Sequence, residues 1–150
     1  MTEAPTSRNR LPDWEQRLNQ VFTDWQTQDF AWGSTDCFQF AGACISAVTG
    51  TNHASQYIGI YNDPASALRL LSETLGTIST ESLLNAWAEA VGSEVTGAQH
   101  LIKGDLIIKE QDGFLIHGIV LTNNTYTTRN GKMHSFASHN LSAEDFGVAI

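Results

Sequence analysis

Gly104-Asp105-Leu106-Ile107-Ile108-Lys109-Glu110-Gln111-Asp112-Gly113-Phe114-Leu115-Ile116-His117-Gly118-Ile119-Val120-Leu121 is the stretch at which the chain changes character. Two apolar runs, 106–109 and 114–121, flank Gln111-Asp112-Gly113, whose Asp-Gly pair accepts the positive φ angles of a tight hairpin. The pattern predicts a strand, a turn and a strand. Further strands are expected near residues 125–128 and 132–136, joined through an Asn130-Gly131 turn, so that the meander continues antiparallel.

Upstream of Gly104 the apolar residues recur at helical spacing instead. Pro12-Asp13 opens a first helix, with Asp13 as N-cap and Gln16 as its partner three residues on; Trp14, Leu18, Val21, Phe22 and Trp25 form one stripe. A second helix starts at Cys37, with Asp36 as N-cap, Gln39 completing a capping box and Gly50 closing the far end. Its inward face reads Cys37, Phe40, Ala41, Cys44, Ile45 and Val48, while Gly42 and Ala43 leave room for a close neighbour. After a loop over residues 51–62, Asp63-Pro64 begins a third helix carrying Leu68, Leu71 and Leu75 to Gly76. A fourth is expected over residues 80–91, with Leu83, Leu84, Trp87 and Val91 inward and Gly92 as its stop. Helices first and strands second predict an α+β fold, the N-terminal helices packed on one face of a C-terminal antiparallel sheet. Residues 1–11 read as a flexible arm and residues 12–150 as a single domain without repeat or linker.

A chain of 150 residues, 41% of them hydrophobic, supports one core without a metal or disulfide staple, because a domain of this size buries roughly 70% of its unfolded surface. Its formal net charge of −8 argues against a nucleic-acid backbone or an anionic membrane surface as partner. No apolar run approaches the ~18 residues of a membrane span, and residues 1–10 lack a signal-peptide core, so synthesis in the cytosol is expected. Cys37 and Cys44 lie seven residues apart on one helix. A rise of ~1.5 Å per residue separates them by ~10 Å, beyond the reach of a disulfide, and the spacing does not suit zinc. Free thiols, no metal and no cofactor are the expectation.

Cys37 at a helix start sits beside free backbone N–H groups and the positive end of the helix dipole, which favour a thiolate. An imidazole within reach would complete the activation, taking the thiol proton and returning it to a leaving amine. His117, 80 residues downstream in a strand, is the candidate base. His134 and His139, in or after the last hairpin, are the other histidines that the fold could bring to Cys37. The competing reading takes Cys37 as a small inert core residue, and Cys44 is read that way outright. His53 and His100 fall in loops without a visible partner, and Asp105 reads as turn chemistry.

Three segments resemble the anchor segments of NlpC/P60 cysteine peptidases: Phe30-Ala31-Trp32-Gly33 leading to Asp36-Cys37-Phe38-Gln39-Phe40, then Lys103-Gly104-Asp105-Leu106-Ile107, then His117-Gly118-Ile119-Val120-Leu121. The opening Leu11-Pro12-Asp13-Trp14, Thr49-Gly50 and the stretch from Tyr57 to Leu71 are similar to the branch of that superfamily found among tail genes of phages and gene transfer agents. The resemblance implies a papain-like core with Cys37 as nucleophile, supported by Asp36, a sheet histidine as base, and a polar third residue on the next strand. It also implies a peptide or amide bond of cell-wall peptidoglycan as substrate. The setting would be a virion tail, baseplate or hub that opens the wall for DNA delivery, with the neighbouring tail proteins as partners.

Three differences from the family pattern bear on activity. The family has one residue between His and Gly, whereas Gly118 follows His117 directly, so that alignment on Gly-Ile puts Ile116 in the base position. The third residue falls to Thr127 or Thr128, and the family's Ser-Gly after the nucleophile is Phe38-Gln39 here. Two functions of different class follow: a cysteine peptidase or amidase, or a catalytically inactive structural protein of the virion on the same scaffold. A thiol-dependent transferase or deamidase is a third.

Overall fold

Cap residues set where each helix begins and ends in the computed structural model, which describes residues 5, 8–76, 78–129 and 138–150. Helix α1 (Trp14–Trp25) packs on α2 (Cys37–Thr49), and α3 (Pro64–Leu75) and α4 (Thr80–Val91) follow. Asp36 accepts the Gln39 amide at the start of α2, Asp63 forms a reciprocal box with Ser66 at the start of α3, and Ser79 caps α4. Gly50, Gly76 and Gly92 end the last three helices at positive φ. Asp13 stands at the N-cap of α1 but makes no side-chain cap; its carboxylate is drawn instead to Arg17 Nε, 2.9 Å away. Gly42 meets Ala54 of the following loop, so closely that an added Cβ would lie 2.4 Å from the Ala54 Cβ.

The strands are β1 (Glu94–Gly97), β2 (Leu106–Gln111), β3 (Phe114–Thr122), β4 (Thr125–Thr127), β5 (Ser138–Asn140) and β6 (Phe146–Ala149). They form one antiparallel sheet in the order β1-β6-β2-β3-β4-β5. The fold is therefore α+β, four N-terminal helices packed on a six-stranded sheet. The central hairpin turns through Asp112 and Gly113, both at positive φ, as the sequence requires. Its register runs unbroken from Leu106 opposite Ile119 to Gln111 opposite Phe114, and the one irregularity of β3 lies between Val120 and Thr122. The expected Asn130-Gly131 turn and the strand over 132–136 lie outside the described residues. Strands β1, β5 and β6 were not foreseen; β6 is inserted between β1 and β2, so the sheet is more than a meander.

The core is filled between the helices and one face of the sheet, by Leu18, Phe40, Ile45 and Val48 from below and Leu106, Ile108, Ile119 and Val148 from above. Side chains alternate across a strand, so His117, paired with Ile108 and two residues from Ile119, belongs to this helix-facing side, while Ile116 belongs to the other.

The last four residues of the expected arm are tied down. Leu11 N–H bonds the Val48 carbonyl, and Asn9 bonds the carbonyls of Val91 and Gly92 at the end of α4. Arg8 and Arg10 both pair with Asp105, a fully buried carboxylate that also accepts the backbone N–H groups of Ile102 and Ile150. Arg10 further donates to the carbonyls of Lys103 and Ile150. Asp105 is thus the centre of an ion cluster that joins the chain's beginning to the sheet, a larger role than a turn residue.

Candidate active site

The loop that delivers Cys37 is shaped by one close approach. Gly33 has φ +88°, and a Cβ there would lie 2.0 Å from the Tyr61 carbonyl oxygen, so no side chain fits. The Gly33 carbonyl in turn accepts the Gly59 N–H, fixing the loop to the segment beyond α2. Asp36, 1% exposed, bonds the Gly33 N–H at 2.8 Å and the Gln39 N–H at 2.9 Å, and so orients the first turn of α2 from both sides. Gln39 does not complete the expected capping box: its side chain reaches the Ala54 carbonyl at 2.9 Å.

Cys37 keeps some exposure to a cleft, yet protein crowds its sulfur. Burial pushes the thiol up to about 11, with the Asp36 charge adding to the rise. The backbone N–H groups of His117, Cys37 and Phe38 pull the other way and lose. The helix-start argument therefore gives the correct local field and the wrong net sign, because desolvation outweighs it. Both cysteines are free, and Cys44 is a core residue, as read from the sequence.

His117, 3% exposed, faces α2 and α4. Trp87 Nε1 donates to its Nε2 at 3.2 Å, and the Phe38 ring stands edge-on at 5.2 Å between centroids. An indole N–H only donates, so Nε2 carries the lone pair and the ring proton sits on Nδ1. Nδ1 is buried with no partner at hydrogen-bonding distance and angle, although the Leu115 backbone lies nearby. Burial pushes the imidazole down to about 4, against a small opposing pull from the Leu115 backbone. Both groups are neutral near pH 7. Among the described residues no hydrogen bond joins the Cys37 sulfur to an imidazole; the His117 backbone N–H, rather than its ring, favours the thiolate.

Both residues line a cleft of about 590 Å³, within the range of small-molecule sites. Asp36, His53 and Arg129 share its wall. So does Tyr61, 4% exposed, whose hydroxyl has no partner at hydrogen-bonding distance and angle although the Asp36 carboxylate lies nearby. Burial, reinforced by Asp36, raises its phenol far above the ordinary range, so it stays protonated.

The orienting bond on His117 comes from Trp87, which the sequence places on the inward face of the fourth helix without marking it as a partner of the imidazole. Thr127 is buried on β4 opposite Ile119, and Thr128 donates to the His117 backbone carbonyl, leaving the ring to Trp87. His139 stacks on Tyr126 at 5.2 Å, and Tyr126 pairs with Val120, so alternation puts both on the face turned away from the helices. His134 lies outside the described residues. His53, read as a loop residue without partner, faces the Trp87 ring at 6.4 Å in the cleft. Arg129, 3% exposed, was missed altogether; it ties the sheet to the end of α1 through the carbonyls of Trp25 and Gln28. Among the described residues no group of three His, Cys, Asp or Glu could hold a metal ion, and no helix is long and apolar enough to cross a membrane.

Fold and site together define an α+β protein with a helix-start cysteine in an apolar cleft beside a strand histidine. The chain belongs to the family defined by a domain of unknown function, DUF6950, whose model matches residues 9–143. No curated protein and no solved structure matches it.

Proposed function

We propose that the protein is a thiol-dependent hydrolase on a papain-like scaffold of the NlpC/P60 kind, cleaving a peptide or amide bond through Cys37. The observation that carries this reading is the meeting of Cys37, at the capped start of α2, and His117, on the helix side of β3, in the wall of one cleft. In the reaction the sulfur attacks the carbonyl carbon. The thiol proton passes to the imidazole and on to the leaving amine, and water then releases the acyl group from sulfur. The backbone N–H groups of Cys37 and His117, which favour negative charge at the sulfur, would also stabilise an oxyanion formed beside it. His117 takes part only once its Nε2 is freed from Trp87, so the resting site is latent.

The resemblance supplies the substrate class, the peptides of peptidoglycan, and the setting, a phage tail or baseplate opening the wall for DNA delivery alongside other tail or hub proteins. Incubation with purified peptidoglycan should release soluble fragments, and Cys37→Ala should abolish release while leaving the melting temperature nearly unchanged. A wild-type protein that releases nothing removes the peptidoglycan assignment.

A second reading, a virion building block that keeps the scaffold without the chemistry, is favoured by the hold of Trp87 on His117 and by the rise of the Cys37 thiol to about 11. Infectivity separates the two: particles assembled with Cys37→Ala lose it under the first reading and retain it under the second.

A further inference from the structure

Helices α3 and α4 touch at few points, and both turn apolar stripes into one cleft. Leu68, Leu71 and Leu75 on one and Leu83, Ala86 and Ala90 on the other follow the same helical spacing, and all six line the cleft. Two such stripes ordinarily interdigitate at 8–10 Å between axes. Here α3 has no buried residue, and the space between the stripes forms the apolar arm of the cleft. Among the cleft-lining side chains of α3 and α4 the polar groups are the Thr74 hydroxyl and the indole N–H of Trp87, which is already bonded to His117. A peptide main chain brings a donor and an acceptor with every residue and would leave them unpaired against such walls. A hydrocarbon chain would not.

The cleft's polar lining comes from other elements: Asp36 and Cys37 at the start of α2, Tyr61, His117 and Arg129, with the His117 Nδ1 and the Tyr61 hydroxyl buried and without partners at hydrogen-bonding distance and angle. Three apolar side chains in or next to cleft-lining segments are exposed, Ile58, Ile60 and Phe114, at 54%, 59% and 40%. Ile58 and Ile60 lie between Tyr57 and Tyr61, and Phe114 itself lines the cleft.

From this division of the lining we infer that the cleft is an acyl site, taking an unbranched fatty acyl chain between α3 and α4 with its carbonyl carbon at the Cys37 sulfur. The inference rests on the thiol chemistry proposed above and replaces its peptidoglycan substrate with an N-acyl amine, whose acyl half is a hydrocarbon chain and whose leaving group is an amine. In the step, a carbon–sulfur bond forms to Cys37 as the carbon–nitrogen bond breaks, and the thiol proton leaves with the amine. Water then hydrolyses the thioester to a carboxylic acid and the free thiol.

Two measurements test it. Dodecanoic acid below its micellar concentration should quench tryptophan fluorescence, by an amount that Trp87→Phe diminishes, and slow iodoacetamide labelling of Cys37 at least several-fold, whereas acetate should do neither. The quenching should persist in Cys37→Ala. Separately, p-nitrophenyl dodecanoate should acylate Cys37, read as an intact-mass shift, at least tenfold faster than p-nitrophenyl acetate, and Ala86→Trp, which fills the arm, should collapse that ratio. Dodecanoate that binds without any acylation supports the acyl site and sinks the hydrolase reading. Acylation at equal rates by both esters, or absence of quenching and protection, overturns the acyl site and leaves the thiol chemistry standing.

Discussion

Trp87→Phe removes the hydrogen bond that holds the His117 ring, and its effect on that ring follows from the sign of the interaction. The indole N–H donates into the Nε2 lone pair at 3.2 Å, and that lone pair exists only on the neutral imidazole. The bond therefore stabilises the neutral form, and losing it must raise the pKa. A net hydrogen bond is worth about 0.5–1.5 kcal/mol, and at about 1.4 kcal/mol per unit the rise is about half a unit to one unit. From a wild-type value pushed down to about 4 by burial, the variant should titrate near 5, still well below an exposed histidine because burial by Phe38 and the sheet remains. Stability moves with it. In the wild type the unfolded chain takes up the proton first as pH falls, so the stability present above about 6.5 is lost between 6.5 and about 4. In the variant the loss ends near 5.

The assay is an NMR titration of the His117 ring, assigned by comparison with His117→Gln, with urea unfolding at several pH values beside it. A wild-type ring that titrates at 6.5 would refute the burial argument. An unchanged value in Trp87→Phe would refute the hydrogen bond. If the freed Nε2 then reaches the sulfur, iodoacetamide labelling of Cys37 at pH 7 rises in the variant.

The remaining predictions concern the thiol and the ion cluster. Wild-type Cys37, with its thiol pushed up to about 11, should label at pH 7 roughly a hundred-fold more slowly than glutathione, and labelling as fast as glutathione would contradict its desolvation. Asp36→Asn removes a negative charge beside the sulfur, so the pH at which labelling accelerates should move down, at a stability cost of about 1 kcal/mol if the cap is weakened. Asp105→Ala leaves Arg8 and Arg10 without their carboxylate and two backbone N–H groups without an acceptor; unfolding in urea should show a loss of about 3–5 kcal/mol, and a loss under about 1 would mean the cluster is not structural.

What the sequence made legible is what local chemistry dictates. Helices α2 and α3 were bounded by residues that act on their own turn, Asp36 and Asp63 as caps and Gly50 and Gly76 as stops, and α4 by its stop Gly92, whereas its cap Ser79 stands unmarked among neighbouring serines and threonines. The β2–β3 hairpin was marked by Asp112-Gly113 between apolar runs. Strands β1 and β6 escaped notice because each is four residues long, β6 contains Gly147, and their pairing joins residues 94–97 to 146–149 across most of the sheet-forming half. Strand β5 reads Ser138-His139-Asn140, polar throughout, as suits an edge. The Arg8, Arg10 and Asp105 cluster was invisible for the same reason as β6. Its members lie some 95 residues apart, and an arginine in a polar start carries no mark of its partner.

At the site the division falls between position and state. A capped helix start, an aspartate before the cysteine and a histidine in the following sheet could be read from spacing, and the register then put His117 on the side of the sheet facing that helix. Protonation could not be read, because it depends on what covers each group. Phe38 and Trp87, from two different helices, converge on His117 and drive it toward the neutral ring, while crowding around Cys37 drives it toward the neutral thiol. Desolvation moves the two pKa values in opposite directions, down for the base and up for the acid, and each shift makes proton transfer from sulfur to imidazole less favourable. Whatever activates this pair must bring polarity into the cleft or lift Trp87 away. A substrate whose carbonyl and amide groups reach Cys37 while its apolar part fills the α3–α4 arm would supply polarity where it is missing, beside the His117 Nδ1 and the Tyr61 hydroxyl, which lack partners at hydrogen-bonding distance and angle.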